Sequence, residues 1–375
     1  MKHWLRSHPW RAAALVLLAL AASALVATGR TPFYTPAYTP KTMSTITAER
    51  RTHCLGRYLV DLPADFTQFS GGWGAVELYY GLDKDFETVY ASVEPELFTP
   101  AQFYRQVEAR EKELRETINS ATHAPMLLHA ERIGNLNVVM FRRMDVAHAD
   151  DGAIKSEVHQ LIGGRYVRYE QESYDIKNLE AGGGRASYRN IDPTPAEDRL
   201  KMIARKLRPE ETGGRGFCFQ GVIFDVGQDD EVGSFYFGSK TVRDLFLRID
   251  YHAVTGQPKE GLFERTAQNT PVWMKPMIVT LRQRHRQLGG MNAEEGLERF
   301  TLSSSDVQHG FKIETRTEHQ SLARPMIGIE MRTGDEVEDD DGKQVQPKGQ
   351  PSLSDDQALK LWDDIVNSVR ARPGA

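Results

Sequence analysis

At 375 residues, with 40% hydrophobic and 26% charged side chains, the chain exceeds what one hydrophobic core organises and is neither disordered nor multi-spanning. Its formal charge of −5 is mild, and Lys and Arg are interspersed with Asp and Glu, so the concentrated basic face that a nucleic-acid partner requires is missing.

Lys2, Arg6 and Arg11 precede an uncharged apolar run from Ala12 to Ala27, the layout of an export signal. Ala22-Ser23-Ala24 offers a cleavage site; retention of the segment is the alternative, with inner-membrane anchoring through residues 12–27. Either outcome places the rest of the chain in the periplasm. Cys54 is too distant from the run to be an acylation site. Residues 30–48 follow as a spacer whose Pro32, Pro36 and Pro40 favour extended backbone.

The remainder writes one plan twice. Cys54 is followed seven residues on by Asp61, Cys218 is followed seven on by Asp225, and both segments read as strands. Each copy closes with an amphipathic helix ending in Arg-Pro, and 155 residues separate Cys54 from Pro209 just as they separate Cys218 from Pro373. This divides the chain into residues 1–29 (signal or anchor), 30–48 (linker), 49–210 (first domain), 211–216 (linker) and 217–375 (second domain).

In the first copy, strands are expected over Val76 to Tyr80, Val89 to Val93, Met126 to His129 and Asn137 to Arg142, with a hairpin around Gly163-Gly164. Thr99-Pro100-Ala101-Gln102 is a capping box, and Phe103, Val107, Leu114 and Ile118 mark one face of the helix behind it. Thr194-Pro195-Ala196-Glu197 is read as a second box, opening the closing helix that buries Leu200, Ile203, Ala204 and Leu207.

In the second copy, strands are expected over Ser234 to Phe237, Leu245 to Ile249, Phe300 to Leu302, Phe311 to Thr315 and Met326 to Met331. Pro271 and Pro276 interrupt the segment that is helical in the first copy, so a helix is placed from Pro276 to Leu288 with Ile278, Leu281 and Leu288 inward. Ser354-Asp355-Asp356-Gln357 caps the last helix. The fold class is α+β: two tandem related domains, each a mainly antiparallel sheet backed by helices, after an N-terminal hydrophobic export or anchor segment.

The Cys-Leu-Gly-Arg-Tyr-Leu-Val-Asp-Leu-Pro opening at Cys54, the Gly216-Phe217-Cys218 reopening, the exported N-terminus and the capped terminal helix carry a resemblance. Together they resemble the immunity proteins paired with lipase effectors of bacterial type VI secretion systems, over Ile46 to Arg372. The resemblance implies a two-domain binder acting outside the cytoplasm whose partner is a cognate secreted lipase (phospholipase) effector, neutralised by clasping. Two similar domains on a short linker suit that task, since the second contact becomes effectively intramolecular.

Catalytic motifs do not survive inspection. Gly233 to Thr241 carries an extra Ser before Lys240 for a phosphate loop, and its aromatics suit a strand turning at Gly238-Ser239. No Gly-x-Ser-x-Gly elbow is present, Ser303-Ser304-Ser305 near His309 reads as a loop, and no zinc-ligand spacing occurs. Catalytic, cofactor and metal residues are therefore expected to be none. The competing reading is an envelope binding protein or enzyme with a ligand in an interdomain cleft.

Candidate partner contacts are the acidic run Asp335, Glu336, Glu338, Asp339, Asp340 and Asp341, which would steer a basic surface, and Trp73 within Gly71-Gly72-Trp73-Gly74. A solvated loop and packing of Trp73 on its own sheet are the bland alternatives. Cys54 and Cys218 are either a disulfide joining the copies or two thiols buried in separate cores. Asp61 and Asp225 are expected to fix turns at strand ends.

Overall fold

In the computed structural model the described residues are 49–69, 76–81, 87–134, 137–148, 152–175, 192–210, 214–254, 256–303, 306–334, 337–338, 344–346 and 351–375. The first half contributes β1 (Arg50–Gly56), β2 (Tyr58–Pro63), β3 (Phe66–Phe69), β4 (Val76–Tyr80), β5 (Glu87–Leu97), α1 (Pro100–Glu116), β6 (Leu127–Arg132), β7 (Val138–Met144), β8 (Ala153–Ile162), β9 (Arg165–Tyr174), α2 (Thr194–Lys206) and β10 (Arg208–Pro209). The second contributes β11 (Phe217–Phe219), β12 (Val222–Phe224), β13 (Asp230–Ser239), β14 (Phe246–His252), α3 (Leu262–Asn269), β15 (Ile278–Leu288), β16 (Met291–Ser303), β17 (Asp306–Thr315), β18 (Met326–Thr333), β19 (Val337–Glu338), β20 (Gln344–Gln346), α4 (Asp355–Ser368) and β21 (Arg370–Ala371).

The two halves share their sheets. One long antiparallel sheet runs β15-β16-β17-β18-β14-β13-β4-β5-β9-β8-β7-β6, with β3 added beside β13. Strand order in one half mirrors that in the other about the β13–β4 junction, where Val232 faces Glu77 and Gly233 faces Val76. A smaller sheet runs β10-β12-β11-β1-β2-β21. At its centre the two Cys-bearing hairpins meet, Leu55 opposite Phe219 and Gly56 opposite Cys218.

The opening hairpins are exchanged. Tyr58, from the first half, donates its hydroxyl to the Ala323 carbonyl (3.2 Å) and lies 3.6 Å from the Met291 sulfur, both in the second half. Each closing strand in turn pairs with the other half's hairpin, β10 with β12 and β21 with β2. Asp61, expected to fix a turn, instead lies inside β2, where it accepts from Thr52 (2.7 Å) and from both ends of the Arg370 guanidinium (2.9 and 3.0 Å). Gly56 has φ of +61°, and a Cβ there would stand 2.9 Å from the Tyr251 ring, so both turn geometry and the packed hairpin require glycine.

The main core lies between the long sheet, the small sheet, α2 and α4, and includes Leu62, Phe217, Phe224, Phe235, Leu200 and Trp362. A second cluster sits on the opposite face of the long sheet beneath α1, from Phe103, Val107, Leu114, Val139 and Phe141. Capping boxes form at Thr99–Gln102 and Ser354–Gln357. The expected box at Thr194 does not form; the helix begins there without a side-chain cap, because Glu197 turns inward to Arg142 (2.6 Å) and Ser156 (3.4 Å).

The helix expected from Pro276 to Leu288 is a strand, β15, and the helix of the second half is the earlier, shorter α3. Ile278, Leu281 and Leu288 fit a helical face, yet Arg282, Arg284 and Arg286 alternate with period two. All three reach buried Glu295 on β16 (2.9, 2.8 and 2.8 Å), a convergence that only a strand allows. The turn after Gly238 comes slightly later than expected: β13 continues through Ser239, whose hydroxyl accepts from the backbone of Val242 (2.8 Å).

Candidate partner-binding face

Period-two alternation gives the long sheet an inner and an outer face. Inward, Phe235, Ile249, Ile329 and Ile313 stand side by side across β13, β14, β18 and β17. Outward, one row runs Tyr236, Arg248, Glu330, Lys312, Gly296 and the next runs Phe246, Arg332, Gly310, Glu298, Thr280. Arg332 lies over the Phe246 ring (4.9 Å) and Arg248 over Tyr236 (5.7 Å), while Glu330 and Asp250 balance the two cations (3.1 and 2.8 Å). Aromatic and arginine side chains held in this way on an open sheet suit a protein partner.

An inward arginine recurs in the two halves. On the inner face Arg142 of β7 stands opposite Ser156 of β8 and reaches Glu197 of α2; Arg299 of β16 stands opposite His309 of β17 and reaches Asp355 of α4 (2.6 Å). Burial would push Asp355 up, but His309 (2.9 Å) and Arg299 hold its carboxyl below the usual range. Aligned on these two arginines, the outward pairs Phe141–Glu157 and Val139–His159 correspond to Glu298–Gly310 and Gly296–Lys312. In the first half these positions are roofed by α1, and Arg110 on that helix clasps fully buried Glu157 through two 2.9 Å contacts.

In the second half the roof is cut back. α3 has 8 residues against 17 in α1, buries only Leu262, and is stopped by Pro271. Beneath it a groove of about 560 Å³ opens, lined among others by Phe263, Thr266, Ile278, Gly296, Glu298 and Phe300. Val272 and Trp273 follow the helix at 79% and 67% exposure, the most exposed large apolar side chains among the described residues. The Glu298 carboxylate has no hydrogen bond or ion pair among the described residues, and burial pushes it up from the ordinary value.

Side-chain contacts add to the shared strands in making the boundary rigid. Arg57, in the turn between β1 and β2, donates to Glu231 of β13 at 3.0 and 2.7 Å, and Glu231 is fully buried. Burial keeps the Glu231 carboxyl above its usual value even with Arg57 and Gln228 bonded to it. Cys54 and Cys218 are joined in a disulfide across a sequence separation of 164 residues, Cα atoms 5.7 Å apart. A Glu210 carboxylate oxygen lies within 4.8 Å of both sulfurs, which the disulfide leaves unable to act as thiolate ligands. Arg372 reaches the Gly214 carbonyl (2.6 Å) and that of Gly216, binding the C-terminal strand to the junction between halves.

Of the residues singled out in the sequence, Trp73, Asp335, Glu336, Asp339, Asp340 and Asp341 lie outside the described residues, as do residues 12–27. Glu338 belongs to β19, paired with β20 in a separate two-stranded ribbon. Among the described residues no helix is long and apolar enough to cross a membrane. The sequence reading missed Trp273 and the groove. The signal available was Thr270-Pro271-Val272-Trp273, two large apolar residues directly behind a helix-stopping proline.

A duplicated, hairpin-exchanged scaffold that presents a broad outer face defines a binding protein. The chain belongs to the Tle cognate immunity protein 4 family: that family's N-terminal domain matches residues 51–206 and its C-terminal domain residues 210–374. No curated protein sequence matches it significantly. Among solved structures it is similar to the apo immunity protein TplEi of the type VI secretion system of Pseudomonas aeruginosa, with 21% identity, TM-score 0.59, and 87% of this chain and 98% of that one covered. It is likewise similar to the Tle4-Tli4 complex structure, at 21% identity, TM-score 0.59, and 88% and 99% coverage. A third similar structure, TplEi complexed with an "L" peptide, has 21% identity, TM-score 0.55, and 86% and 98% coverage.

Proposed function

We propose that the chain is a periplasmic immunity protein that binds a cognate type VI lipase effector and inhibits it by covering it, so protecting the producing cell. The observation that carries this reading is the match of both family domains, in order, over residues 51–206 and 210–374. The outer face of the long sheet supports it: in the second half it carries the Arg332–Phe246 and Arg248–Tyr236 pairs, and it is braced from behind by the disulfide and the Arg57–Glu231 pair. A preorganised face loses little freedom on binding, which favours the affinity of about −12 kcal/mol or better that silencing a toxin demands.

Export through the apolar run from Ala12 to Ala27, cleaved or kept as an inner-membrane anchor, places this face where a lipid-degrading effector acts. Residues 49–210 and 217–375 are the two units of the binder, and Trp73 and the acidic run at 335–341 are auxiliary contacts to the effector. The protein works by occlusion and turns nothing over. The test is co-purification with, and inhibition of, a type VI lipase effector from the same cell. Failure of the chain to bind that lipase, or to spare cells in which the lipase is sent to the periplasm, refutes the reading.

A further inference from the structure

The outward positions that α1 roofs in the first half are the ones the second half has changed. Val139 and Phe141, packed under α1, correspond to Gly296 and Glu298; Glu157, clasped by Arg110, corresponds to Gly310. The floor has thus lost its two apolar side chains and gained a carboxylate that nothing described pairs with, while the helix above has been halved. A Cβ at Gly296 would meet nothing within 4 Å, so the floor stands open where its counterpart is filled. Phe300 lies against Gly310, and Phe263, Ile278 and Leu262 supply apolar walls. A half-buried carboxylate in such surroundings is costly unless an opposite charge reaches it.

We propose that this groove between α3 and the outer face of β15–β17 receives one protruding segment of the effector, apolar and carrying a single lysine or arginine whose cation pairs with Glu298. The inference rests on the effector-binding reading and names the chemistry of that contact. Trp273 and Val272, exposed between Pro271 and Met274 of an adjoining hollow that shares Ile278, Glu298 and Phe300 with the groove, close over the segment from the rim. Two groove cations are turned away from Glu298, Lys312 to Glu314 (3.2 Å) and Arg332 to Glu330 (3.1 Å), and the third, Lys275, lines the groove without an ion pair to it. The pairing makes the groove selective, since an apolar segment without a cation leaves the carboxylate buried and alone.

Three full-chain variants test it, each compared with wild type for effector affinity by calorimetry and for fold by urea midpoint. Gly296→Trp fills the open floor and is expected to weaken binding at least a hundredfold. Glu298→Lys is expected to do the same, and Glu298→Gln to cost about tenfold. If Gly296→Trp fails to fold, the two Glu298 variants carry the test alone. Wild-type affinity retained within twofold by the folded variants overturns the groove while leaving the effector reading intact.

If wild type does not bind the effector at all, that reading falls. The groove is then probed with a synthetic amphipathic leucine peptide bearing one lysine, beside its lysine-to-glutamate twin. Binding of the lysine peptide alone, lost in Glu298→Lys, sustains the groove; no binding of either peptide, or equal binding of both, overturns it.

Discussion

Replacing Arg57 with alanine tests whether the exchanged hairpin holds the halves together. The guanidinium bridges the first half's opening turn to Glu231, a fully buried carboxylate of the second half, through bonds of 3.0 and 2.7 Å. Removing one partner of a buried pair costs about 3–5 kcal/mol, because the other charge is stranded. Here the lower end applies: Glu231 still accepts from Gln228 (2.7 Å) and has Tyr251 at 3.5 Å. We therefore expect a loss of about 3 kcal/mol at pH 8.

The loss carries a pH signature. Glu231 already has its carboxyl raised by burial, and without Arg57 it rises further. A carboxyl raised in the folded state supplies its stability below the unfolded value of 4.5 and loses it as pH climbs through the folded value. The variant thus falls further behind wild type as pH rises, by up to about 1.4 kcal/mol per unit, and nearly catches up at pH 5. Urea unfolding at pH 5 and pH 8 measures this, with a midpoint shift of about 1 M at pH 8 for a slope near 3 kcal/mol/M. Adding Glu231→Gln to the variant should restore most of the loss. A deficit below about 1 kcal/mol at pH 8, or one equal at both pH values, would show that the pair does not brace the junction.

Cys54→Ser with Cys218→Ser, or reduction, releases a loop spanning a sequence separation of 164 and should cost about 4–5 kcal/mol, read as a lowered urea midpoint in dithiothreitol; an unchanged midpoint contradicts this. His53, half-buried against Phe237, has its pKa lowered from 6.5 to about 4 by burial and then by Arg51, so stability present at neutral pH should drain away as pH falls from 6.5 to 4. The amount is about 3 kcal/mol, and a His53→Phe variant that keeps the wild-type slope over that window rules out this assignment. Trp273→Ala should leave the melting temperature within about a degree, since the side chain is 67% exposed, while weakening effector binding about tenfold or more; a normal affinity excludes Trp273 as an anchor.

Local pattern carried much of the fold. The 164-residue offset between Cys54 and Cys218 exposed the duplication, and apolar spacing in α2 and α4 located the closing helices because both bury one face in the main core. What local pattern cannot contain is partnership over distance. Nothing in β4 or β13 alone says that the two pair edge to edge, or that β10 and β21 cross over to the other half's hairpin. The mistaken helix at β15 arose because three apolar residues matched a helical face, while the stronger constraint, three arginines converging on Glu295, depends on a neighbour not yet placed. The groove was harder still, since it is made by the shortness of α3 and the absence of side chains at Gly296 and Gly310.

The halves differ most plainly where each one's helix meets the outer face of the long sheet. Inward, an arginine of each half is tied to a carboxylate on its own closing helix, Arg142 to Glu197 and Arg299 to Asp355. Outward positions contact only their own half's helix. Shortening one helix exposes one floor without disturbing the small sheet, the disulfide or the other half, because the main core lies wholly on the other side of the long sheet. A carboxylate under the full-length α1 is met by an arginine, as Arg110 meets Glu157, whereas Glu298 stands under a shorter helix that supplies none. The unpaired Glu298 and the halved helix therefore go together, and their physical product is an open, singly charged groove on an otherwise braced face.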